Sequence, residues 1–335
     1  MARAKEGRQG MSLSAQTHRP MYGDVKLYSG NSAPELAGKI ARYLDVPLCD
    51  RDIVTFPNDN IFVKLHSSVR GQDCYVIQST SIPVQRNLME MLILIQTLRL
   101  DSAARITAVI PYLCYTRSDK KDQPRISIAA RLMADLISTS GADRILTVNL
   151  HSPQIHGFFN IPADHLLVMA IMFNDLKKTE TTGFIAVAPD AGSAKRAESY
   201  ARQLKIPLAI IDKRRYDNDD KAHVMNIIGN VGGKSAIIFD DEISTAGSLI
   251  ETVEALKENG AEKIYACVAH GVLCGQAIDR IYQCDALEKV IVTNTIPISR
   301  QAVEGGKIHV LSIASLLGEA IKRIFKGESI SVLFK

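Results

Sequence analysis

The sequence has no C-x-x-C pair, although it holds six cysteines, at positions 49, 74, 114, 267, 274 and 284. That spacing excludes a zinc-finger type of site and a disulfide framework. Reduced, mostly buried thiols of a cytoplasmic protein are expected instead. Long apolar runs are missing too. The longest apolar helical stretch, Leu88–Leu100, carries Glu90 and Arg99 and is too short to span a bilayer, so no membrane partner is expected. The N-terminus has no apolar signal core, and export is not expected. Charge of one sign is scarce. The formal net charge is only +4, and Arg3, Lys5 and Arg8, opposed by Glu6, supply half of it. No basic stripe with interleaved aromatics occurs, so nucleic acid is not an expected partner. No serine or cysteine stands in the context of an activated nucleophile, which argues against a covalent intermediate.

What remains is a chain of 335 residues, 46% hydrophobic, long enough for two ordinary domains with sizeable cores. Residues 1–23 are polar and rich in Gly, Arg and Gln, and a disordered extension is expected there. Beyond them, apolar strand-length runs alternate with helical periodicity. Strands are expected at Val25–Tyr28, Ile53–Phe56, Ile61–Leu65, Cys74–Gln78, Ile106–Ile110, Arg144–Asn149, Phe184–Ala188, Leu208–Ile211, Ala236–Phe239, Ile264–Ala269 and Val290–Val292. Helices are expected at Ser32–Leu44, Asn87–Arg99, Ile126–Thr139, Leu166–Leu176, from Lys195, after Ser248, near Gln276–Tyr282 and at Ile313–Phe325. Such alternation specifies an α/β fold with mainly parallel sheets, whose ligands sit at the carboxyl ends of the strands. The run Gly229–Ser235 is one residue short of a P-loop and precedes a strand instead of following one; it is expected to be a hairpin or connector turn.

The most informative stretch is Ala236–Leu256, AIIFDDEISTAGSLIETVEAL. It runs strand, acidic tip at Asp240-Asp241, small-residue turn Ser244-Thr245-Ala246-Gly247-Ser248, then helix. A small turn at a helix N-terminus offers backbone N–H groups and hydroxyls to a phosphate. Carboxylates are acceptors only, suited to sugar hydroxyls or magnesium. Solvated acids beside an N-capping hydroxyl are the plain alternative. Other polar segments follow strands in the same way: His151, Asp190-Ala191-Gly192 and Lys213-Arg214-Arg215. His151 by itself is a common structural histidine, but with Asp190 it is an acceptable magnesium pair. Fixed cations at Lys213 and Arg215 suit phosphoryl-type transfer by positioning and charge neutralisation.

These segments resemble those of ribose-phosphate diphosphokinases, the PRPP synthases. PYLCYTRSDKKDQPR is similar to the family's catalytic flexible loop and ATP-binding segment, and RILTVNLHSPQIHGFFNIP to its metal-binding segment. VAPDAGSAKR resembles its pyrophosphate loop, IIDKRR its catalytic-lysine strand, and DDEISTAGS its ribose-5-phosphate loop. SVRGQDCYVIQSTSIPVQRNLMEMLI and GEAIKRIFKGESISVLF complete a likeness over residues 24–335. The resemblance implies two similar phosphoribosyltransferase-like domains, 24–168 on the ATP side and 169–335 on the ribose 5-phosphate side, with a last helix that can pack back on the first domain. It implies that Phe56, Asn58, Asp59, Asn60, Arg117 and Ser118 hold ATP, and that His151 and Asp190 bind Mg2+. Lys213 and Arg215 would be catalytic. Arg215, Asp240, Asp241, Ser244, Thr245, Ala246, Gly247 and Ser248 would bind ribose 5-phosphate. The product would be PRPP, with AMP released, in a homo-oligomer of dimers built into a hexamer. Ser244, Asn60 and Asn149 stand where the family usually has acids, Ser118 where it has glutamine, and Pro124 and Pro153 where some members have regulatory serines. A non-catalytic regulatory homologue in mixed oligomers is the alternative that these losses suggest. Retention of the other polar residues favours an active enzyme with altered affinities.

Overall fold

The computed structural model describes residues 22–177, 183–214 and 223–334. The first half runs β1 (Val25–Ser29), α1 (Pro34–Leu44), β2 (Arg51–Thr55), β3 (Ile61–Leu65), β4 (Asp73–Ile77), α2 (Val84–Leu100), β5 (Arg105–Ile110), α3 (Ala129–Ser140), β6 (Arg144–Val148) and β7 (Ala163–Leu166). Five of these strands form a parallel sheet in the order β1-β4-β5-β6-β7, while β2 and β3 form a separate antiparallel hairpin. The second half adds α4 (Met169–Leu176), β8 (Phe184–Ala188), α5 (Ala194–Leu204), β9 (Leu208–Arg214), β10 (His223–Ile228), β11 (Ser235–Ile243) and α6 (Gly247–Glu258). It ends with β12 (Ile264–Gly271), α7 (Ala277–Gln283), β13 (Leu287–Thr293), α8 (Arg300–Glu304), β14 (Ile308–Leu311) and α9 (Ala314–Lys326). Its sheet, β10-β9-β8-β11-β12-β13-β14, is parallel except at the β10 edge. The α/β class with mainly parallel sheets is as expected.

Burial explains why the central strands are continuous apolar runs. Helices cover both faces of each parallel sheet, so alternation of apolar and polar residues is unnecessary; β4 is buried at every position. Within β1, Leu27 faces the cluster built with α1 and α9, and Tyr28 faces the cluster built with α2 and α3. The apolar stripe of α1, Leu36, Ala37, Ile40 and Ala41, has helical spacing and meets α9. Close approach there requires Gly318, since a Cβ at that position would stand 2.4 Å from the Tyr43 ring. Arg105, gripped by the buried Asp73 at 2.8 and 2.5 Å, donates to the Ile324 carbonyl at 3.3 Å. One apolar cluster runs from Leu27 and Leu146 of the first sheet to Phe239 and Cys267 of the second, joining the two sheets through α1, α4, α5 and α9.

Strands β7, β10 and β14 and helix α8 were not anticipated. Strands β7 and β14 are edge strands of four residues, mostly half-buried, and α8 has five residues. The expected helix from Leu166 starts at Met169 because Leu166 belongs to β7. The segment Gly229–Lys234 joins edge strand β10 to central strand β11, which makes it a connector and not a hairpin.

Candidate active site

The carboxyl ends of the two sheets face each other across a cavity of 430 Å³. His151, Arg117, Asp190, Asp240, Asp241 and the turn Ser244–Ser248 line it. The expected acidic tip is a misreading in one respect. Strand β11 continues through both aspartates to Ile243, because β12 extends its pairing to Glu242↔His270 and Ile243↔Gly271. The aspartates are therefore held inside a strand, and Asp241 is buried.

The turn beyond β11 is fixed from several sides. Cys274 N–H donates to the Ser244 carbonyl at 3.0 Å, and the Cys274 thiol meets the Ser244 hydroxyl at 3.3 Å. Arg280 donates to the Thr245 carbonyl at 3.0 Å. Ala246 takes a left-handed conformation, φ 63°, that lets the chain turn into α6 at Gly247. The first N–H groups of a helix have no intrahelical acceptors, so this turn is suited to an anion.

Asp190 closes a second tight turn. Its Oδ1 accepts the Ser193 N–H at 2.8 Å, and Ser193 Oγ donates to its carbonyl at 2.9 Å. A Cβ on Gly192 would press on Asp190 Oδ1 at 3.2 Å, so a small residue keeps the carboxylate in place. One N–H of the segment that resembles a pyrophosphate loop is thereby already used.

His151 comes from the loop after β6. Its Nδ1 is 2.5 Å from Asp241 Oδ2; since a carboxylate only accepts, Nδ1 carries the proton. That bond draws the His151 pKa upward. Arg196 Nη1 lies 3.3 Å from Asp241 Oδ1; against its burial, the hydrogen bonds with His151 and Asp240 and the charge of Arg196 hold Asp241 below the usual carboxylate range. Burial, then the neighbouring Asp241, push Asp240 the other way. Glu242 is raised by burial; it accepts from Tyr112 OH at 3.2 Å and pairs with Arg117 at 3.5 Å.

Behind the cavity, His270 joins the sheets. Its Nε2 donates to the Asn149 carbonyl at 2.9 Å, so its Nδ1 accepts from Thr295 Oγ1 at 2.9 Å in the neutral ring that burial favours. Tyr112 packs edge-on against it at 5.1 Å. Asn149 itself has φ 42°, and its Oδ1 accepts the Val168 N–H at 2.8 Å. An amide oxygen serves there as well as a carboxylate would.

Not every expected residue converges. Phe56, Asn58, Asp59 and Asn60 form the exposed β2–β3 hairpin tip and do not line this cavity. Ser118 turns away into α3, accepting the Ala129 N–H on Oγ and the Ala130 N–H on its carbonyl. Lys213 lies in β9 opposite Val224, while Arg215 lies outside the described residues. Arg196, Glu242, Tyr112 and His270 were not anticipated. For Arg196 a signal existed: it closes the VAPDAGSAKR motif and stands one helical turn before Tyr200, a core position.

Asp190 and the Nε2 side of His151 fit a magnesium ion only in a particular sense. Among the described residues no group of three or more His, Cys, Asp or Glu could hold a metal. Magnesium commonly takes one or two protein ligands and completes its shell with waters and substrate phosphates, and this sparse pair suits that mode.

Comparison with known proteins bears on the same segments. Residues 25–141 match the model of the N-terminal domain of ribose phosphate pyrophosphokinase, and residues 218–335 match the phosphoribosyl synthetase-associated domain. The ribose-phosphate pyrophosphokinase of Caldanaerobacter subterraneus is 48% identical over 313 residues, 92% of this chain and 98% of the relative. That of Chlorobaculum tepidum is 47% identical over 92% of this chain and 95% of its own length. The crystal structure of phosphoribosylpyrophosphate synthetase from Mycobacterium smegmatis superposes with a TM-score of 0.86 at 39% identity, covering 91% of this chain and all of that one. With two family models and near full-length relatives in agreement, this chain belongs to the ribose-phosphate pyrophosphokinase family.

Proposed function

We infer that the chain transfers the diphosphoryl group of ATP to O1 of ribose 5-phosphate. The O1–Pβ bond forms as the O1 hydroxyl gives up its proton to solvent, the bond from Pβ to the α,β-bridging oxygen breaks, and AMP leaves with that oxygen. One observation carries the site assignment. One cavity large enough for a sugar phosphate is lined together by the anion-suited turn, Asp240, His151 and Asp190. The sugar phosphate would sit on Thr245–Ser248, with ring hydroxyls on the Asp240 carboxylate. Mg2+, held through Asp190, His151, waters and nucleotide oxygens, would neutralise the diphosphoryl group. Lys213 and Arg215 would stabilise charge developing in flight. The exposed hairpin tip at Phe56 and Asn58–Asn60 would hold ATP in a neighbouring copy, within a homo-oligomer of dimers assembled as a hexamer. No helix among the described residues is long and apolar enough to cross a membrane, and a cytoplasmic setting with reduced thiols is our reading.

The role of Asn149 as an acceptor for Val168 N–H weakens the case for a non-catalytic homologue, since that position needs no charge. The test is direct. Purified protein with Mg-ATP and ribose 5-phosphate is assayed for AMP and PRPP by chromatography. Equal yields of both are expected, and ATP consumption without PRPP would sink the reading.

A further inference from the structure

Two adjacent carboxylates invite the assumption that they do the same job. The packing around β11 separates them. Successive side chains of a strand point to opposite faces. Phe239 lies on the α5 side, stacked on Tyr200 with ring centroids 4.1 Å apart and an interplanar angle of 7°. Asp241, two residues on, falls on that side as well. Arg196 and Tyr200 are four apart on α5, so they share one helix face. The Tyr200–Phe239 stack therefore sets the register that brings Arg196 Nη1 to 3.3 Å from Asp241 Oδ1. The other oxygen, Oδ2, is 2.5 Å from Nδ1 of His151, which comes from the loop after β6 of the other sheet. Both oxygens of Asp241 are committed before any ligand arrives. Ile238, by contrast, belongs to the cluster with Leu249 and Val253 of α6, and alternation puts Asp240 with it, toward the helix that follows the small turn, its Oδ1 accepting the Asp241 N–H at 2.8 Å.

We propose that the pair divides the work: Asp240 contacts the sugar, while Asp241, clamped by Arg196, is a positioning residue that aims His151. This rests on the function inferred above. The bond from Asp241 keeps the proton on Nδ1 and turns Nε2 toward the cavity, as a carboxylate on the far ring nitrogen does for histidines that bind a metal. It also fixes the His151 loop against β11, so the group that meets the nucleotide is held in register with the group that meets the sugar. Arg196 prevents Asp241 from rotating toward the sugar.

Wild type, Asp240→Asn, Asp241→Asn, Arg196→Met and the Asp241→Asn/Arg196→Met double variant test this, with His151→Gln as the reference for assignment. Ribose 5-phosphate binding is measured by calorimetry without nucleotide, and magnesium activation from turnover. The His151 tautomer is read from solid-state 15N spectra of histidine-labelled protein at alkaline pH, assigned by loss of its signals in His151→Gln. The wild-type spectrum should show His151 protonated on Nδ1. Asp240→Asn should weaken ribose 5-phosphate at least about tenfold and leave that spectrum unchanged. Asp241→Asn should change the sugar affinity less than about threefold, shift the His151 signals, and raise the magnesium requirement about 10–100-fold. Arg196→Met should move the same readouts in the same direction, and the double variant should fall short of additivity. Two results overturn the proposal: a wild-type His151 protonated on Nε2, or an Asp241→Asn protein that loses the sugar as badly as Asp240→Asn with His151 undisturbed. If wild type neither binds the sugar nor makes PRPP, the proposed function fails. The tautomer and its response to Asp241→Asn and Arg196→Met would then still decide the clamp.

Discussion

Replacing His270 should uncouple the two halves of the site without touching a substrate. His270 is 4% exposed and spans the sheets, with Nε2 on the Asn149 carbonyl and Nδ1 on Thr295 Oγ1, each at 2.9 Å. Leucine has similar bulk and no polar atoms. In His270→Leu, Thr295 Oγ1 keeps a contact to the Ala269 carbonyl at 3.3 Å, so its loss is small. The Asn149 carbonyl loses its partner in a buried place. An orphaned buried acceptor costs about 1–3 kcal/mol, and that is the expected loss in urea unfolding. The functional effect should be larger in proportion. Asn149 holds a left-handed conformation two residues before His151, and a shift of about 1 Å in a positioned group can cost about 100-fold in rate. We expect kcat to fall about 10–100-fold while the KM for ribose 5-phosphate changes little.

The two conservative variants separate the two bonds. A glutamine amide extends to where Nε2 lies and can again donate to the Asn149 carbonyl; an asparagine amide is shorter and stands in for Nδ1. His270→Gln should recover most of the lost rate, and His270→Asn should recover little. Equal recovery by both, or full activity in His270→Leu at normal stability, would refute the idea that this histidine transmits position through Asn149.

Lys213→Ala is expected to lower kcat on the order of 100-fold with little change in KM, because a fixed charge matters most in the transition state; near-normal turnover would remove it from that role. Ser244→Asp should keep activity and change mainly the KM for ribose 5-phosphate or the magnesium optimum. The new carboxylate would attract a cation yet stand against the Cys274 thiol and near the sugar phosphate; activity confined to the aspartate variant would favour the regulatory alternative. Acid should destabilise the fold through His165, whose pKa burial pushes down to about 4 from 6.5 and whose Nε2 accepts the Leu150 N–H at 2.8 Å. Below the unfolded value the unfolded chain binds the extra proton, so this stability is present above pH 6.5 and is lost as pH falls toward 4. The loss is on the order of 3 kcal/mol, and His165→Gln should flatten the slope of urea stability across that window.

The interior strands and the small turn were legible in the sequence because local chemistry specifies them. Phe184–Ala188 is apolar at every position, and a strand between two helical layers must be. Edge strands carry no such signature: β7, ADHL, buries only Leu166 fully. The limits of β11 were hidden for a different reason. Nothing in FDDEI says that a strand continues through its acids; the continuation depends on β12, whose pairing reaches Gly271. Contacts that cross the chain were invisible for the same cause. His151 meets Asp241 across 90 positions and His270 meets Asn149 across 121, and a single sequence does not state which loops meet.

The residues that depart from the family pattern show how this matters for function. Counted in the sequence, Asn149 is a missing charge near the expected magnesium ligands. In the fold its side-chain oxygen accepts the Val168 N–H, a task that needs a lone pair and no charge. Ser244 likewise has a local partner in Cys274. Charge in this cavity depends less on how many acids the chain retains than on what each acid faces. Asp241 is held ionised by a histidine and an arginine, whereas Asp240, one residue away, is pushed toward its neutral form by burial and by that same Asp241. Two carboxylates that the sequence cannot distinguish are thus made different by the elements packed on either side of one strand.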